Sequence, residues 1–139
     1  MDEERDRALA EELRLAVGSL VRATRAQTDE LSRAHAESLA QLERQGGRTI
    51  ALLAAERGVS HQAMSKAVAE LERMGLVERH PHPSDARAFV IELSASGRHA
   101  LRRDRDARRD SLARAIAGLD EADRALLDAV PRLLRRLMP

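Results

Sequence analysis

The stretch VSHQAMSKAVAELERMGLVERHPHPSDARAF, Val59 to Phe89, decides the fold of this 139-residue chain. Ser60 is a helix N-cap residue, and behind it Met64, Ala67, Val68, Leu71 and Met74 recur at intervals of three and four. That spacing predicts a helix to about Met74 with these residues on one buried stripe. His61, Gln62, Ser65, Lys66 and Ala69 then share a different, polar face. Gly75 ends the helix, Leu76–His80 reads as a strand, and Ala88–Leu93 alternates Phe89, Ile91 and Leu93 on one side of a second strand. The loop PHPSDAR lies between the strands.

Just upstream, Thr49 is placed to cap a short helix over Ile50–Glu56 that stops at Arg57 and Gly58. Two short helices around a glycine turn, with small Ala54 and apolar Val59 and Met64 at the crossing, form a helix-turn-helix pattern. The hairpin behind it makes a winged helix. An α-helix fits the major groove of DNA and an arginine fits the narrow minor groove, so the two elements suit adjacent grooves of one duplex.

The ends of the chain are different. Leu9, Leu13, Ala16, Val17 and Leu20 form a helical stripe near the start, and Leu126, Leu127, Val130, Leu133, Leu134 and Leu137 form another near the end. Asp120, with Asp123 three positions on, marks the start of the last helix, and Pro131 is expected to kink or divide it. A further helix is expected near Ser32–Arg44, broken at Gly46 and Gly47. Acidic residues crowd positions 1 to 16 and arginines crowd 98 to 109, so the two regions attract one another.

Composition excludes several classes. At 43% hydrophobic and 34% charged residues, with Phe89 the only aromatic, the chain has a mostly helical, soluble composition with few strands. Without cysteine it has no disulfide, thiolate metal site or thiol redox sensor. No apolar run reaches the ~20 residues that cross a bilayer, and no signal-peptide pattern opens the chain, so no membrane partner and a cytoplasmic location are expected. A net charge of +1 argues against an indiscriminate polyanion binder and leaves room for a focused contact surface. There is no phosphate-cradling glycine loop, zinc-protease helix or nucleophile elbow, so no catalytic residue and no cofactor is assigned.

Three segments, GVSHQAMSKAVAELERMGLVER (58–79), SDARAFVIELSASGR (84–98) and LARAIAGLDEADRALLDAVPRLLRRL (112–137), resemble the MarR family of winged helix-turn-helix transcriptional regulators. The most specific part is Asp85-x-Arg87 followed by a strand that ends in Leu-Ser-x-x-Gly-Arg, Leu93 to Arg98. The resemblance implies a mainly α fold with a small β-wing. It divides the chain into dimerisation helices at 1–28 and 110–139, a winged helix-turn-helix lobe at 32–98 and a connecting helix at 99–118. It implies a homodimer binding double-stranded DNA at a pseudo-palindromic operator, repressing nearby genes and commonly released by a small aromatic or otherwise anionic effector.

Carried over by position, Ser60, His61, Gln62, Ser65 and Lys66 are the expected contacts of the recognition helix. Gln62 suits adenine through paired hydrogen bonds, His61 and Ser65 suit bases or phosphates, and Lys66, a point charge, suits a phosphate. Arg73 is expected to add a backbone contact; Arg87 matches the wing arginine of the minor groove, and Asp85 the carboxylate that orients it. Glu70 and Glu72 are expected to repel phosphates, so contact should concentrate on the first half of the helix, where its dipole also favours anions. Two other readings remain open: a dimeric winged-helix module that binds protein, and a metal-responsive regulator using His80 and His82 with His61 or Asp85. No metal ligand is assigned, because a His-Pro-His wing has no defined second shell.

Overall fold

The computed structural model describes residues 1–25 and 31–139. It has the order α1 (Asp2–Arg25), α2 (Arg33–Gln45), α3 (Ile50–Arg57), α4 (His61–Arg73), β1 (Val77–Pro81), β2 (Phe89–Leu93), α5 (Ala95–Ala117) and α6 (Glu121–Leu137). The expected extension of the first helix to 28 lies partly outside the described residues.

Local chemistry sets the boundaries. Ser32, Thr49, Ser60, Ser94 and Asp120 each stand in extended geometry before a helix, and each side chain accepts a backbone N–H from three positions on. At the other ends Gly58 (φ 64°) closes α3 and Gly75 (φ 74°) follows α4, both in the left-handed region that costs an L side chain about 1 kcal/mol or more. The expected helix-turn-helix therefore forms where the sequence places it. Gly58 lets Val59 N–H turn back to the Ala54 carbonyl at 3.1 Å, which aims α4 across α3.

The two strands pair antiparallel with Val77 opposite Leu93 and Pro81 opposite Phe89. Arg48 bridges to Ile91 on the far side of β2. β1 is thus an edge strand, where Pro81, which has no N–H to donate, is tolerated. One core unites the lobe. Leu39, Leu53, Met64, Val68, Leu71, Ile91 and Leu101 are almost fully buried, bringing α2, α3, α4, β2 and the first turns of α5 together.

Four side-chain links fasten this core. His35 of α2 meets Glu70 of α4 at 2.6 Å, and Arg57 of α3 bonds both Glu37 (2.6 Å) and Ser38 (2.8 Å) of α2. Arg33 is the main cause, and Arg57 a further one, of the Glu37 carboxyl titrating below its ordinary range. Arg105 of α5 meets Glu43 of α2 at 2.7 Å, and nearly buried Asp104 is held by Arg108 one turn on at 2.8 Å. Arg105 thus fastens α5 to α2, while Arg108 pairs within α5.

The motif Leu-Ser-x-x-Gly-Arg proves to be a joint. Ser94 Oγ donates to the Gly75 carbonyl (2.7 Å) and accepts the Gly97 N–H (2.9 Å), while Ser94 N–H donates to the Leu76 carbonyl (3.1 Å). One side chain ties the end of the recognition helix to the start of α5. α5 then runs unbroken through positions 99 and 110, where the sequence suggested segment boundaries.

Three further expectations are corrected. Met74 is not part of the buried stripe; it caps α4 and is 47% exposed, because the chain turns away at Gly75. Ala67 is only half-buried. α6 is not divided at Pro131 but continues to Leu137; a proline inside a helix removes one hydrogen bond, and apolar residues on both sides keep the single stripe intact. α1 and α6 bury no residue within the chain, and Leu9, Leu20, Leu126, Leu133 and Leu137 are exposed.

Candidate nucleic-acid interface

The recognition helix presents the expected residues on one side. His61, Ser65, Ala69 and Arg73 follow one another at intervals of four, and Gln62 and Lys66 lie beside them; all are exposed except half-buried Ser65. The opposite side, Met64, Val68 and Leu71, is buried to 1% exposure or less. The helix is therefore fixed by one face and free on the other. Arg73, in its last turn, stands about 18 Å along the axis from His61, so these two cannot touch the same phosphate.

The wing comes close to the front of this helix. His61, Arg79, Arg87 and Phe89 line one groove of about 280 Å³, together with Thr49, Ile50 and Ala51 at the start of α3. Three basic side chains and the N-terminal end of a helix meet there, a combination that favours an anion. His61 and Arg87 are thus brought together, while Arg73 lies apart. Arg79, which like Arg73 was expected to add a backbone contact, pairs with Glu72 at 3.2 Å and lies over the Phe89 ring, 5.4 Å from its centroid. The alternation of β1 and β2 put Arg79 and Phe89 on the hairpin, but only the fold set them beside Glu72.

Asp85 departs from its expected role in detail. Its carboxylate accepts the backbone N–H of Arg87 at 3.0 Å, and among the described residues no ion pair joins it to the guanidinium. It orients Arg87 through the main chain, as a turn-forming aspartate does. Ser60 also carries a structural duty, since its Oγ accepts the Ala63 N–H at 3.0 Å.

Electrostatics separate the two signs of charge. Glu70 is taken up by His35 and Glu72 by Arg79, so the two carboxylates expected to repel DNA each face a basic partner. Among the described residues Lys66, Arg73 and the Arg87 side chain engage in no ion pair. The wing histidines do not gather into a metal site. His80 lies between Glu78 (3.2 Å) and Glu92 (3.6 Å), the His82 ring is bonded within its own loop, and among the described residues no group of three or more His, Asp or Glu side chains is arranged to hold a metal ion.

Ser60 separates capping from contact. Ser60→Ala is expected to cost about 1 kcal/mol of stability as a lost cap. Ser60→Asp keeps the cap but sets a carboxylate at the end of α4 that is expected to face DNA, so thermal unfolding should match wild type while DNA affinity drops about tenfold or more. Unchanged affinity of Ser60→Asp would place the start of α4 away from phosphate.

A helix-turn-helix with a polar recognition face, its acids paired away and a basic wing alongside, defines a winged-helix DNA-binding protein. The MarR family model matches residues 29–88, and an uncharacterized HTH-type transcriptional regulator of Mycobacterium bovis is 33% identical over 135 residues, covering 96% of this chain and 94% of the relative. The chain belongs to the MarR family of transcriptional regulators. A crystal structure of a Pseudomonas aeruginosa transcriptional regulator protein, 39% identical, superposes with a TM-score of 0.80 over 96% of this chain and 95% of that one. A variant of Staphylococcus aureus MepR, bound to an oligodeoxyribonucleotide, shares the fold at 18% identity with a TM-score of 0.71, covering 94% of this chain and 98% of that one.

Among the described residues no helix is long and apolar enough to cross a membrane.

Proposed function

We propose that the protein is a cytoplasmic, homodimeric repressor that occupies a pseudo-palindromic operator near the genes it controls and is released by a small-molecule effector. The observation that carries the DNA contact is the sorting of charge on the winged lobe: Glu70 and Glu72 are paired, whereas Lys66, Arg73 and Arg87 are left to meet phosphates and grooves. His61, Gln62, Ser65 and Lys66 enter the major groove from the first half of α4. Arg87 enters the adjacent minor groove, and Ser60, Arg73 and Asp85 support the approach. The DNA-bound state of the related MepR fold is consistent with this use of the lobe.

The dimer reading rests on α1 and α6. Neither buries a residue within the chain, and a groove of about 560 Å³ beside them is lined by Leu13, Val17, Val21 and Leu134 with Arg14, Arg22 and Arg33. Helices with an uncovered apolar stripe are stabilised by a partner that covers it. The corresponding division is dimerisation helices at 1–28 and 110–139, a winged lobe at 32–98 and a connecting segment at 99–118. Two recognition helices about 34 Å apart would reach successive major grooves on one side of the duplex. An effector acts only by binding better to a dimer whose spacing no longer matches. With no Tyr or Trp and one Phe, a site walled by aromatics is not available to it.

Binding of purified protein to DNA from its own upstream region, followed against salt, tests this. Log affinity should fall linearly with log salt, and Lys66→Ala should reduce the slope by about one while weakening all sequences alike. Gln62→Ala should leave the slope and relax the sequence preference. A protein-binding module, the second reading, would show no sequence-dependent affinity even at low salt.

A further inference from the structure

The tip of the wing is held by an imidazole. His82 Nδ1 accepts the backbone N–H of Ser84 at 3.1 Å and that of Asp85 at 3.2 Å. His82 N–H donates to the Ala88 carbonyl (3.1 Å), Ala88 N–H donates to the Asp85 carbonyl (3.1 Å), and the Asp85 carboxylate accepts the Arg87 N–H (3.0 Å). These bonds close residues 82 to 88 into one turn, with the His82 ring half-buried inside it. Two of the five bonds exist only while Nδ1 keeps its lone pair.

We propose that His82 is a positioning residue for the DNA contact of Arg87, and that the wing is set for binding only while its imidazole is neutral with the proton on Nε2. The proposal rests on the operator-binding reading above. A neutral imidazole has one donor and one acceptor nitrogen, and an imidazolium has two donors. A proton on Nδ1 faces two backbone donors, so both bonds are lost and the N–H groups of Ser84 and Asp85 are released. The Asp85 carboxylate, which fixes the Arg87 backbone, moves with them. Asparagine at 82 reproduces the acceptor, because its Oδ1 stands as many bonds from Cβ as Nδ1 does and accepts at every pH. Alanine supplies no acceptor.

Other charges act on the same region. Within the turn the other charged groups are the Asp85 carboxylate, bonded to the Arg87 N–H, and the Arg87 guanidinium. On the strands His80 faces Glu78 and Glu92, and Arg79 faces Glu72 of α4. Arg48 is joined to β2 by main-chain bonds, and His61 shares the groove with Arg79 and Arg87. His61 and His80 are imidazoles as well, and a cationic His61 would strengthen a phosphate contact. The signature of His82 is therefore the difference between variants.

The test measures dissociation constants for a DNA fragment from the protein's own upstream region at constant ionic strength, between about pH 8 and about pH 5.5, the span in which protein histidines gain a proton. Wild type, His82→Asn and His82→Ala are compared, with thermal unfolding of each. At the upper pH, His82→Asn should bind like wild type and His82→Ala about tenfold more weakly, the fold-change of one to two neutral hydrogen bonds. On acidification wild type should lose about tenfold relative to His82→Asn, converging on His82→Ala. In an Arg87→Ala background, His82→Ala should cost no further affinity, because the effect runs through Arg87. A constant ratio of wild type to His82→Asn across the pH span, wild-type affinity of His82→Ala, or an undiminished loss in the Arg87→Ala background overturns the assignment. Absence of wild-type binding to any fragment overturns the operator reading and this assignment together.

Discussion

Gly97→Ala is expected to destabilise the folded protein by about 3 kcal/mol, the upper part of the range for forcing an atom into a packed site. An added Cβ would overlap the Leu76 carbonyl oxygen and fall 2.8 Å from Leu93 Cδ1. The carbonyl is backbone and already accepts the Ser94 N–H, so it cannot step aside without opening the joint between α4, β1 and α5. The contrast is Gly58→Ala, where nothing lies within 4 Å and only the left-handed backbone is strained; it should cost about 1 kcal/mol. Thermal or denaturant unfolding of both variants checks the ranking. Equal midpoints for Gly97→Ala and wild type would mean that α5 is not seated against β1 as described.

Arg87→Ala should leave stability unchanged, since the side chain is exposed and in no ion pair, yet weaken operator binding by about 1–3 kcal/mol, about fivefold to beyond a hundredfold. Arg87→Lys keeps the charge without the planar fork and should recover only part of the loss. Equilibrium titration of an operator fragment at fixed salt measures both. Full affinity of Arg87→Ala would remove the wing arginine from the interface and leave the recognition helix to bind alone.

The comparison of expectation with structure follows the range of the forces involved. Thr49, Ser60 and Asp120 were legible as caps because a cap is a contract between residues three positions apart. The recognition helix was legible because Met64, Val68 and Leu71 repeat with the helix period, which also leaves His61, Gln62 and Lys66 outside. Met74 misled by continuing that period past the point where Gly75 turns the chain. The division allowed for at Pro131 does not occur, because losing one hydrogen bond weighs less than an apolar stripe spanning both of its sides. Asp85 was placed in the correct turn, but whether its carboxylate meets the guanidinium or the backbone of Arg87 depends on the conformation of the loop.

The sequence by itself determined the order of elements, the helix-turn-helix, the wing and the polar face of α4, because each is encoded in residues within a few positions of one another. Only the tertiary structure decided which charges on that face remain available. Glu70 is answered from α2 by His35, thirty-five residues away, and Glu72 from β1 by Arg79, which also rests on Phe89. The Gly97 seat against Leu76 is likewise a contact between separate elements. No local pattern carries such pairings: they depend on how the elements cross, and that is set when the shared core around Leu39, Leu53, Leu71 and Ile91 closes.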